Sequence, residues 1–68
     1  MRIDRIKLIV LMAERDMTLG RLAELSRLSV STICQVKAGK SCTPKTGNAI
    51  AKALGVPVDE LEMGRDYV

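Results

Sequence analysis

The chain has 68 residues, enough for one small domain and no second, with a core that is marginal unless it packs efficiently. Apolar residues make up 47% of it, yet Tyr67 is the one aromatic, so the core must be built from Leu, Ile, Val, Ala and Met, which favours helices. With no histidine a Ser-His-Asp hydrolase is excluded, and a net charge of +3 with a pI near 9.2 tilts the surface toward an acidic partner.

Residues 3–14 carry apolar positions at Ile3, Ile6, Val10 and Ala13 and also at Leu8, Leu11 and Met12. The pattern predicts a helix wide enough in its apolar surface to pack on more than one neighbour, ending near Arg15 and Asp16. Thr18 then supplies an N-cap for a second helix of about two turns, in which Leu19, Leu22, Ala23 and Leu25/Ser26 keep helical spacing. Ser29 caps a third, from Val30 to Lys37, with Ile33 and Val36 as its buried stripe and Gly39 as its stop. Thr43 followed by Pro44 opens a fourth helix that runs to Leu54, buries Ala49, Ile50, Ala53 and Leu54, and closes at Gly55. Gly47 inside it weakens the helix by roughly 1 kcal/mol relative to alanine, which points to a close packing contact or a boundary nearby. A last short helix, Val58 to Met63, follows Pro57 and stops at Gly64. These elements define an all-α fold of five helices, a single domain over residues 1–64 with a tail at 65–68 that frays.

Several function classes fall away. No run reaches the roughly 18 apolar residues of a membrane span, and Arg2, Asp4, Arg5 and Lys7 interrupt the stretch where a signal peptide would be apolar, so a cytoplasmic location is expected. Cys34 and Cys42 fit no zinc-ligand spacing and are expected as free thiols. No GxxxxGK[ST] or GxGxxG loop is present to hold phosphates, and the carboxylates are scattered over solvated faces. No catalytic residue, metal, cofactor or small-molecule substrate is expected, and the chain is read as a non-enzyme.

The third helix is unusual in composition. Ser29, Val30, Ser31, Thr32, Ile33 and Val36 are mediocre helix formers, because β-branched and hydroxyl side chains lose rotamer freedom or compete for backbone hydrogen bonds. Something other than helix stability selects them. The second and third helices, joined by a tight turn, have the helix-turn-helix arrangement. "TLGRLAELSRLSVSTICQVKAGK" followed by "TPKTGNAIAKALGVPVDEL" resembles the Cro and phage-repressor family, also called XRE-like, whose fold is of the lambda-repressor type. The resemblance runs without a gap from about Leu11 to Leu61 and rests on Thr18, Leu22-Ala23, Ile33, Gly39, Pro44 and "IAKALGV".

The resemblance implies a DNA-binding regulator, more a repressor than an activator, with the helix from Val30 to Lys37 in the major groove. Val30, Ser31, Cys34 and Gln35 would then meet bases: Gln35 pairing with adenine N6 and N7, Ser31 bonding to base edges, Val30 and Cys34 packing on thymine methyls. Phosphate contacts are expected from Thr18, Arg27, Thr32, Lys37, Lys40, Ser41, Thr43 and Lys45. Such domains act as symmetric dimers on half-sites about 34 Å apart, and the edge expected to carry the dimer is Val56, Pro57 and Val58 with Met63 and the tail including Tyr67. Three features depart from the family pattern. Leu19 stands where many relatives carry glutamine, and Arg27 replaces the turn glycine. Met12 and Lys37 replace an Arg–Glu pair; losing both partners is nearly harmless, whereas losing one strands a charge. The rival reading is an antitoxin-like or anti-repressor module that keeps the fold and binds protein.

Overall fold

The structure, a computed structural model, describes residues 1–62. Its elements are α1 (Arg5–Glu14), α2 (Leu19–Ser26), α3 (Val30–Lys37), α4 (Pro44–Leu54) and α5 (Val58–Leu61). The expected boundaries of α2, α3 and α4 are reproduced because their caps are written locally. Thr18, Ser29 and Thr43 each accept a backbone N–H three residues on through the side-chain hydroxyl, and Pro44 occupies the first turn of α4.

The two ends of the chain differ from expectation. Residue 3 is not helical: the Asp4 carboxylate accepts from the N–H groups of Ile6 and Lys7, at 3.0 and 3.3 Å, and so starts α1 two residues later. Residues 1–4 run extended as a strap. Met1 and Cys42 exchange hydrogen bonds of 2.7 and 2.8 Å, the Asp4 N–H donates to the Leu61 carbonyl at 2.7 Å, and Ile3 pairs with Glu62 in an isolated antiparallel bridge. Ile3 is thereby buried. The same pairing ends α5 at Leu61, because Glu62 must turn extended to meet Ile3. Met63 and Gly64, expected to finish that helix, and the tail lie outside the described residues.

Leu8, Met12, Leu22, Ile33, Val36, Ile50, Leu54 and Leu61, with Ile3, Ala23 and Ala51, form one core. The second helix packs on α3 and α4, and α1 packs on α3 and α5, so the helices carrying Met12 and Lys37 do meet. Two burial patterns need correction. In α4 the inward stripe is Gly47, Ile50, Ala51 and Leu54, and Ala49 and Ala53 are only half-buried. In α1 only Leu8 and Met12 are buried; Ile6, Val10 and Ala13 face solvent, since the neighbours of α1 cover one side of it.

The close contact foreshadowed by Gly47 is real: a Cβ there would collide with the Met1 sulfur. Glycine leaves room for the thioether of the strap to lie against α4. Arg15 fastens the opposite end, its Nε donating to the Leu54 carbonyl at 2.8 Å and its guanidinium also to the Leu11 carbonyl, so an orphan acceptor at the end of α4 is satisfied by α1. Among the described residues no buried side-chain nitrogen or oxygen lacks a partner.

Candidate nucleic-acid interface

The turn between α2 and α3 fixes how the third helix is presented. Arg27 takes the left-handed conformation, φ 61° and ψ 33°, and its N–H donates to Glu24 while the Leu28 N–H reaches back to the Ala23 carbonyl at 3.0 Å. This is a Schellman ending, usually assigned to glycine. A side chain in that region costs on the order of 1 kcal/mol. Ser29 follows and caps α3, its hydroxyl also 2.9 Å from the Thr32 hydroxyl.

Ile33 and Val36 are buried and pin α3 to the core, which leaves Val30, Ser31, Cys34 and Gln35 exposed together on its other side. Val30, at 46% exposed, has no core partner that would account for it. All four expected base-contacting residues therefore share one outward surface. Beyond the helix, Gly39 adopts φ +100°, and the Lys40 N–H closes the last turn onto the Gln35 carbonyl at 3.1 Å.

The expected phosphate contacts divide by what their hydroxyls are already doing. The exposed Thr18 hydroxyl accepts the Arg21 N–H and keeps its own proton for an outside acceptor. The Thr43 proton is donated to the Thr46 hydroxyl, which leaves the relayed proton on Thr46 as the available donor. Thr32 is half-buried and engaged with Ser29. Arg27, Lys40, Ser41 and Lys45 are exposed, and Lys37 is half-buried at the end of α3.

Sequence reading missed two cations. The strap carries Arg2, whose guanidinium donates to the Gly39 carbonyl at 3.2 Å, and the Arg5 side chain also lies beside Gly39. Both stand next to the loop after α3, although more than thirty residues earlier in the chain, and no local pattern could place them there. A second signal was legible and went unread: residues 25–58 contain Arg27, Lys37, Lys40, Lys45 and Lys52 and no carboxylate. Every acidic residue lies outside the stretch that forms the turn, α3 and α4.

Of the two thiols, Cys34 is exposed on the outward side of α3, and burial pushes the Cys42 thiol above its ordinary pKa despite the nearby chain amine. Among the described residues no group of three metal-ligating side chains converges, and no helix is long and apolar enough to cross a membrane.

Two short capped helices at a fixed turn, the second outward-facing and set in cationic surroundings, define a helix-turn-helix domain. The chain belongs to the Cro/C1-type helix-turn-helix DNA-binding domain family, whose model matches residues 7–62. Among solved structures it is similar to a hydroxyethylphosphonate dioxygenase variant, at 30% identity and a TM-score of 0.83, and to native PhpD with cadmium, at 30% and 0.81. Each match covers 94% of this chain and 14% of the other, so this chain spans a small part of those proteins. No curated protein matches.

The left-handed Arg27 separates stability from binding. Arg27→Gly is expected to raise the melting temperature by about 4–8 °C, as relief of roughly 1 kcal/mol does in a domain of this size. The same change should lower the salt slope of DNA binding by about 0.9, one phosphate contact. Calorimetry and a salt titration check the two halves, and an unchanged slope would remove Arg27 from the interface.

Proposed function

We propose that the chain is a sequence-specific double-stranded DNA-binding transcriptional regulator, a cytoplasmic repressor that acts as a homodimer with α3 in the major groove. The observation that carries this reading is the separation of charge. The turn, α3, the following loop and α4 hold basic residues and no acid, and Gln35 and Ser31 stand exposed on α3. Phosphates would be met by Thr18, Arg27, Lys37, Lys40, Ser41 and Lys45, with Arg2 added from the strap and Arg5 from the start of α1. Base edges would be met by Gln35 and Ser31, with Val30 and Cys34 suited to thymine methyls. A readout without arginine fits A·T-weighted sites.

Homodimerisation follows from the small number of bases that one two-turn helix can read. The edge expected from sequence is poorly supplied for it: Val56 and Val58 are half-buried against the core, and Pro57 is the exposed member of the trio.

A second reading, a module that binds protein within a larger chain, is favoured by one observation. Dioxygenase chains carry this fold as 14% of their length. Selection from a pool of randomised duplexes at two salt concentrations distinguishes the readings. Enrichment of a palindrome, with log K falling by about 0.9 per phosphate contact against log salt, is expected for the regulator. Absence of both enrichment and salt dependence would leave the protein-binding module.

A further inference from the structure

The first helix is apolar on two sides. Leu8 and Met12 enter the core, whereas Ile6, Ile9, Val10 and Ala13 face solvent, the three large ones at 58%, 38% and 48% exposure. Their spacing of i, i+3, i+4 and i+7 makes one stripe along the helix. None of the four is a member of the buried core. Of the other large exposed apolar residues, Leu25 borders a hollow with Ala49 and Ala53, and Val30 already belongs to the α3 surface.

We infer that this stripe is where a second copy of the chain docks, α1 against α1 and antiparallel, which names the surface of the homodimer in the reading above and rests on it. Two features of the stripe select a second copy. The first is register. Positions 6, 9, 10 and 13 are symmetric about the midpoint between Ile9 and Val10, so a reversed copy presents the same spacing. Ile6 then faces the partner's Ala13, a large side chain against a small one, and Ile9 faces the partner's Val10. Such a contact is isologous, the same patch used twice.

The second feature is charge. At 100° per residue, Lys7 and Glu14 lie on the same edge of the stripe and Arg5 on the other. A two-fold axis perpendicular to the helices keeps like edges together, which brings Lys7 over the partner's Glu14 within one turn, twice per dimer. A parallel pair would instead bring the Lys7 edge against the partner's Arg5, like charge on like. The Glu14 side chain is 63% exposed and its one ion-pair partner, Arg15, is 3.6 Å away, so it is free to take the new contact. One helix face is smaller than the roughly 800 Å² per partner of a standard interface. The free dimer is therefore weak.

Sedimentation equilibrium of the full chain without DNA, from micromolar to millimolar, is the test. Wild type is expected to show a monomer–dimer equilibrium, Val10→Glu to weaken it at least tenfold, and Lys7→Glu or Glu14→Lys alone to weaken it several-fold. The double reversal Lys7→Glu/Glu14→Lys should restore it. Thermal melts by circular dichroism confirm that each exposed-site variant is folded. A chain that stays monomeric, or a dimer indifferent to Val10→Glu, overturns the proposal; a double reversal no tighter than the singles overturns the antiparallel arrangement. Salt-dependent binding of monomeric Val10→Glu to a 12-base-pair mixed-sequence duplex reads DNA binding separately. Its loss in both proteins would refute the DNA reading without touching the sedimentation result.

Discussion

Gln35→Ala combined with Ser31→Ala is expected to remove sequence discrimination while leaving the fold and the nonspecific affinity in place. Both side chains are exposed on α3 and neither supports the core or a cap, so melting temperature should hold within a degree or two. A good bidentate contact to a base contributes about 1–3 kcal/mol of discrimination, a five- to 150-fold loss on the preferred duplex for Gln35 alone. Ser31 adds less, since a single hydroxyl accepts or donates one bond at a time. The measurement is a pair of anisotropy titrations, preferred duplex against scrambled duplex, across salt. Convergence of the two affinities with an unchanged salt slope is the expected result. If discrimination persists in the variant, another face of the molecule reads the sequence.

The largest effect on stability is expected at the opposite side of the same helix. Ile33 is fully buried, and truncating such a side chain to alanine costs about 2–5 kcal/mol through lost transfer energy and the cavity left behind. A domain of this length has a total stability on the order of 3–10 kcal/mol. Ile33→Ala should therefore lower the melting temperature by more than about 10 °C and leave a substantial unfolded fraction at 37 °C. DNA binding would fall with it and recover on cooling. Val30→Ala, three residues away and exposed, should leave the melt unchanged. A small shift for Ile33→Ala would mean that α3 is held by its caps and turn more than by its packing.

Those two experiments probe the part of the molecule that the sequence made most legible. Thr18, Ser29, Thr43-Pro44, Gly39 and Gly55 specify α2, α3 and α4 through hydrogen bonds spanning a few residues, so their boundaries could be read locally. The outward group on α3 was legible for the same reason: Ile33 and Val36 fix the inward side, and the remaining residues follow from helical geometry. Arg27 was legible as an anomaly, and the structure gives it the left-handed angle that its position in the turn demands.

What escaped depends on contacts between distant segments. Ile3 belongs to the apolar pattern of the first helix by spacing, yet Asp4 caps that helix and Glu62 pairs with Ile3 instead. The exposure of Ile6 and Val10 escaped because periodicity shows which residues share a side and not which sides have neighbours. Arg2 reaches the loop after α3 through the strap, and Arg5 reaches it from the start of α1, which packs on α3. Burial of Ala51 in place of Ala49 and Ala53 follows from the side of α4 that packs against α2 and α5, a property of the assembled domain.

The strap has a kinetic meaning. The pairs that define α2, α3 and α4 lie a few residues apart, whereas Met1 meets Cys42 across a separation of 41 residues. Contacts that close so large a loop gain nothing until the intervening helices are in place. The strap therefore docks only on helices already formed, and in docking it completes the core, because Ile3 is fully buried among their side chains. Because Met1 holds Cys42 and Arg2 holds Gly39, the same docking step fixes the segment that carries Lys40, Ser41 and Thr43.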